Sequence, residues 1–184
     1  VFSHTHFLTY VVFNQSAKAT LAPYVTPSIV KLAERHEHRK RTLILYDGDA
    51  NIDPAQFDPH LRQLLVKAVS IKPNQLYKMY TEAISVIDFG MPGSERLVLE
   101  ASLFNTPIII NDELNGIDAT DFPIPSRFRI QKRNYSQLNL LLNEIVSTVG
   151  TPKWNSIVEE FRTFRGYVKN LRINFMRSVR KYFS

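Results

Sequence analysis

The sequence predicts an α/β domain whose mostly parallel sheet is flanked by helices, followed by a long amphipathic helix. Three observations carry this. Short apolar runs alternate with helix-like segments along the chain, the order that βα units produce. The runs at 84–89 and 107–110 are apolar on both faces, as parallel strands covered by helices are. From Trp154 onward, apolar residues recur in steps of three and four, which makes one helical stripe.

The elements follow in order. Leu8 to Phe13 (LTYVVF) reads as a first strand ending at Asn14, with a polar loop carrying Lys18 behind it. Thr26-Pro27 has the form of an N-cap followed by proline in the first turn, opening a helix to about Glu37. Thr42 to Tyr46 (TLILY) is the second strand, and Asp47-Gly48-Asp49 marks a turn. Pro54 to Leu65 reads as a short helix or irregular segment, and Val66 to Ile71 as the third strand. Pro73 to Ala83 is a helix with Leu76, Met79 and Tyr80 on one side. The stretch from Ile84 to Gly116 is then a complete strand–loop–helix–strand–loop unit. Pro92, Gly93 and Ser94 break its first strand, and Ser94 is placed to cap the helix, with Glu95 in the first turn where the dipole favours negative charge. Leu97, Val98, Ala101 and Leu103 are available to pack. A last short strand falls near 128–130. Tyr135 to Val149 is a helix with Leu138, Leu141, Leu142, Ile145 and Val146 at helical spacing, and Thr151-Pro152 starts another.

Composition bounds the function. The 184 residues suit one domain with an appendage, here 1–150 and 151–184. There is no cysteine, which excludes disulfides, thiolate chemistry and cysteine-based zinc sites, and fits a cytoplasmic location. The chain begins at Val1 and carries no signal-peptide pattern, so a piece of a longer protein is expected. The net charge of +6 lies wholly in 151–184, which hold eight basic and two acidic residues. The tail reads either as a packing helix with a solvated basic face or as a dock for an anionic membrane surface or partner. The domain carries no nucleic-acid motif. His4, His6, His36, His38 and His60 form no recognisable ligand pattern, so no metal site is expected. There is no G-x-S-x-G elbow, no G-x-G-x-x-G after the first strand and no P-loop.

In parallel α/β sheets, ligands sit at the carboxyl ends of the strands. The loops at 90–94 and 115–116 both fall there. A diphosphate needs backbone N–H groups and positive charge. A helix start behind Gly93 and Ser94 supplies the first, and Lys18 and Arg96 can supply the second. A ribose diol needs a fixed carboxylate, and Glu100 lies within the same helix. The plain alternatives are that Glu100 is solvated, that Arg96 makes a surface ion pair, that Ser94 only caps and that Asn14 only ends a turn.

These features together resemble a family. The strand ending at Asn14, then Lys18, the helical 73–83 region and DFGMPGSERLVLEASLFNTPIII look like the Rossmann-like C-terminal half of GT-B glycosyltransferases. They look most like the retaining group that uses nucleotide sugars. Glu100-Ala101, Asn105-Thr106-Pro107 and Ile108 to Ile110 match that group's order. The resemblance covers about residues 8–150. It implies that Glu100 accepts hydrogen bonds from the donor's ribose hydroxyls. It also implies that Gly93, Ser94, Glu95 and the neighbouring backbone face the donor sugar and diphosphate, and that Lys18 approaches the diphosphate. Many members carry a second glutamate eight positions before the first, where this chain has Pro92. The expectation is a donor-binding domain that holds a nucleotide-diphosphate sugar with no required cofactor. The sugar would pass to a glycan, lipid or protein acceptor held by another domain or chain. The alternatives are a catalytically inactive binding or scaffold module docking through its basic helix, and a sugar-nucleotide epimerase of the same two-domain plan.

Overall fold

The computed structural model describes residues 2–3, 19–20, 25, 27–35, 40–47, 52–89, 96–112, 123–131 and 133–170. The expected strand at 8–13, the Thr26 cap, Gly48-Asp49, the loops at 90–94 and 115–116, and the tail beyond 170 lie outside them.

Near the start, β1 (Phe2–Ser3) pairs in parallel with β2 (Ala19–Thr20). Helix α1 (Pro27–Glu34) leads to β3 (Leu43–Asp47), followed by a 3-10 turn at Pro54–Gln56 and α2 (Pro59–Arg62). Then come β4 (Leu65–Ala68), α3 (Pro73–Glu82), β5 (Ala83–Asp88), α4 (Arg96–Leu103) and β6 (Ile108–Asn111). A second 3-10 turn at Ser126–Phe128 precedes β7 (Arg129–Ile130), α5 (Tyr135–Thr148) and α6 (Pro152–Glu160). Helical residues resume at 162–170.

The main sheet runs β4-β3-β5-β6-β7, and every pairing in it is parallel. The chain moves from β3 outward to the edge strand β4, then back past β3 to β5. This is the doubly wound, Rossmann-like order, with its reversal between β3 and β5. Right-handed crossovers put helices on both faces. Thus α1 packs on α4 over one face, while α2 packs on α5 over the other.

Sandwiching explains the sequence pattern. All six residues of β5 and all four of β6 are buried. Ser85, in the middle of β5, is fully buried because its hydroxyl donates to the Pro107 carbonyl at 3.1 Å. Strand β4 ends earlier than its apolar run suggests. Ser70 takes the left-handed conformation (φ 52°), which turns the chain out of the sheet and leaves Val69 about half exposed.

The stripe of the last helix belongs to the core. Trp154, Ile157, Phe161, Phe164 and Val168 are all buried, and the Phe161 ring meets Phe128 edge-on at 4.6 Å. The helix expected over 151–184 is interrupted at Phe161 (φ −89°, ψ 6°), which caps α6 before helical residues resume. Arg127 ties this region down: it donates to Glu160 from Nε at 2.8 Å and to Glu144 from Nη1 at 3.1 Å, and Lys153 approaches Glu144 at 3.6 Å. The apolar face is therefore occupied as far as Val168, and the water-facing side is of mixed charge: Arg162, its side chain 79% exposed, pairs with the exposed Glu159, with Glu160 and Lys169 also exposed. Among the described residues, no helix is long and apolar enough to cross a membrane.

A second arginine organises the amino edge of the sheet. Arg41 Nη1 donates to the Ala83 carbonyl and, at 3.1 Å, to Thr106 Oγ1. Its Nη2 donates to the carbonyls of Phe104 at 2.6 Å and Asn105 at 3.2 Å. The guanidinium lies over the Trp154 ring, 5.1 Å from its centroid. One side chain thus joins β5, the α4–β6 turn and α6. Burial pushes its pKa down to about 10, so it stays charged at neutral pH.

Candidate functional site at the carboxyl edge

Register places the ends of the strands side by side. Asp47 of β3 pairs with Ala68 of β4, and Tyr46 with Ile87 of β5, so Asp47 and Asp88 close adjacent strands next to the reversal. A cleft of about 230 Å³ opens at this edge, lined by Asp47, Ala68, Ser70, Leu76, Tyr80 and Arg96, among others. It lies where doubly wound sheets bind ligands.

Arg96 stands at the start of the described part of α4, where the helix dipole adds positive potential. Its Nε donates to Glu100 Oε1 at 2.6 Å, one helical turn on, and its Nη2 donates to the Tyr77 hydroxyl at 3.1 Å. Among the described residues Nη1 has no partner. The side chain of Arg96 is 59% exposed and that of Glu100 is 5% exposed. Tyr80, fully buried on α3, donates its hydroxyl to Glu100 Oε2 at 3.3 Å. The two tyrosines and the Arg96–Glu100 pair thus form one polar cluster between α3 and α4.

The electrostatics follow from burial. Desolvation is the largest influence on Glu100 and holds its carboxyl above the ordinary glutamate value, against the opposing pull of Arg96 and Tyr80. Desolvation, reinforced by the Glu100 charge, pushes the Tyr80 phenol far above its usual range, so it remains a neutral donor. The hydrogen bond to Glu100 is the main reason the Arg96 guanidinium is held above its usual value. A consequence can be measured. A carboxyl whose pKa is raised on folding stabilises the fold fully below its unfolded value, and that contribution is lost as pH rises through the folded value. Relative to Glu100→Gln, the wild-type chain is expected to lose melting temperature as pH climbs from about 4.5, as read by thermal denaturation. Parallel pH profiles for the two chains contradict this.

Of the residues singled out from sequence, Arg96 and Glu100 are brought together. Asn14, Lys18, Gly93, Ser94 and Glu95 lie outside the described residues. The solvated reading of Glu100 does not hold, since the residue is 4% exposed. Nor does Glu100 line the cleft; Arg96 and Tyr80 do. Sequence reasoning missed Tyr77, Asp47 and Ser70, and treated Tyr80 as packing alone. The available signal was the i, i+3 spacing of the two tyrosines on α3, which puts both hydroxyls toward one neighbour. His60 makes a hydrogen bond to Asn143 at 2.7 Å, in a polar seam between α2 and α5 that also includes Asp58. Among the described residues, no group of three His, Cys, Asp or Glu side chains could hold a metal.

No protein-family model matches the chain, and no curated protein matches it in sequence. Its structure is similar to the crystal structure of a glycosyltransferase from Rickettsia africae ESF-5. The TM-score is 0.64 at 13% identity, over 99% of this chain and 62% of that one. The fold is therefore glycosyltransferase-like, built on a Rossmann-like parallel sheet. The chain spans about 62% of the length of that neighbour.

Proposed function

We propose that this chain is the donor-binding half of a GT-B glycosyltransferase, and that its cleft takes the nucleoside diphosphate of a sugar donor. The observation that carries this reading is the position of Arg96. It lines a cleft at the carboxyl edge of the sheet, beside the strand reversal, in a glycosyltransferase-like fold. A diphosphate leaving group gathers negative charge as the glycosidic bond breaks. A guanidinium and a helix N-terminus fixed beside it stabilise that charge without reorganising. The acceptor, whether glycan, lipid or protein, would be held by a second domain or chain facing this cleft. No cofactor beyond the donor is invoked.

Calorimetric titration with UDP-, GDP- and ADP-sugars tests this reading. One of the three is expected to bind, and Arg96→Ala is expected to weaken it about tenfold or more, the scale of one lost charge-assisted contact. Absence of heat with all three, from a folded chain, removes the reading.

A further inference from the structure

We propose that Glu100 is a positioning residue for the cleft: with Tyr77 and Tyr80 it fixes the Arg96 guanidinium so that Nη1 meets the diphosphate of a bound nucleotide. This rests on the reading that the cleft takes a nucleoside diphosphate. It departs from the ribose-binding role that the family resemblance implies for Glu100.

Access comes first. Glu100 is 4% exposed, does not line the cleft, and has both carboxylate oxygens engaged, Oε1 by Arg96 Nε at 2.6 Å and Oε2 by Tyr80 at 3.3 Å. Each oxygen keeps a further lone pair, but a ribose could reach it only by moving the side chains that bury it. Arg96 needs no such displacement. It already lines the cleft, and Glu100 and Tyr77 hold two of its three nitrogens while Nη1 has no partner among the described residues. An exposed arginine is ordinarily mobile and loses rotamer freedom on binding. A guanidinium held at two points has lost that freedom in advance, and the gain appears as affinity. Orientation also matters, since bidentate recognition of phosphate oxygens depends on the plane of the fork.

The groups facing Glu100 fit this role. Arg96 is on its own helix. Tyr80 approaches from α3, and Tyr77 completes the cluster through Arg96. Asp47, at the end of β3, also lines the cleft. Tyr80 stays a donor, so the carboxylate it holds stays turned toward Arg96.

Binding of UDP, GDP and ADP, each beside its 2′,3′-dideoxy analogue, separates the two roles. A positioning residue acts on the diphosphate, so Glu100→Ala is expected to weaken a nucleotide and its dideoxy analogue by the same factor, about tenfold. Glu100→Gln can still accept from Nε and is expected to recover part of both. Tyr77→Phe, at the rim, should also weaken both equally, and it keeps the test open if Glu100→Ala does not fold. In an Arg96→Ala background none of these changes should matter further. If the Glu100 variants weaken the parent nucleotide and spare the dideoxy analogue, Glu100 contacts ribose and the inference falls. Unchanged affinity in the Glu100 variants also removes it, while leaving the donor-binding reading in place. Failure of the wild-type chain to bind any of the nucleotides removes both.

Discussion

A chain ending at Gly150 is expected to show no cooperative thermal transition. The truncation removes Trp154, Ile157, Phe161, Phe164 and Val168, each at most 8% exposed in the intact fold. Truncating single core side chains of this size costs about 2–5 kcal/mol each. Several such losses together exceed the roughly 5–15 kcal/mol by which a domain is stable. The deletion also uncovers Phe128 and takes Trp154 away from the Arg41 guanidinium. Circular dichroism of the 1–150 chain during heating is the check. A sharp transition near that of the full chain would mean that the stripe is an appendage and not part of the core. For the same reason, tests of the basic face are better made with charge-removing substitutions such as Arg162→Gln than by deletion.

Arg41→Ala is expected to destabilise the fold by about 3–5 kcal/mol, without any change in the cleft. The loss strands the carbonyls of Ala83 and Phe104 at the buried amino edge, and an unsatisfied buried acceptor costs about 1–3 kcal/mol. For a chain of this size the melting temperature should fall by roughly 10 °C. Arg41→Lys keeps the charge, but one ammonium cannot span the acceptors on β5 and the α4–β6 turn while lying over the Trp154 ring, so it is expected to recover only part of the loss. Denaturant unfolding of the three chains measures this. A change below about 1 kcal/mol for Arg41→Ala would show that the clip holds nothing the fold needs.

The two arginines show what was legible in the sequence and what was not. Arg41 sits in a Lys-Arg-Thr run before a strand, where a basic residue reads as solvated. Its acceptors come from residues more than forty positions away, and no local pattern announces them. Arg96 and Glu100 are four apart on one helix, so their pairing was open to inspection. The tyrosines that complete the cluster come from α3 and are brought there by the crossover from β4 to β5. Periodicity placed β3, β5, β6 and β7 within a residue or two, helped by the covering of both faces of β5 and β6, but it did not find the two-residue strands β1 and β2. It failed at β4, where Ser70 turns the chain although Ile71 continues the apolar run. The spacing of the final stripe was also legible as far as Val168, but not what the stripe packs against. An amphipathic helix with a basic face looks the same on a membrane as on its own core. The ring of Phe161 against Phe128, and its neighbours in the same cluster, show packing on the core as far as Val168.

The most direct test of the central claim is to find where a nucleoside diphosphate binds. Amide resonances of the labelled chain, followed during titration with UDP, GDP and ADP, would locate it. The account predicts that shifts gather at Asp47, Ala68, Ser70, Arg96 and Leu97, around the carboxyl-edge cleft. Shifts gathered instead at Glu34, Asn105 and Lys169, which line a separate cavity of about 280 Å³ reached from the far end of α4, would contradict it.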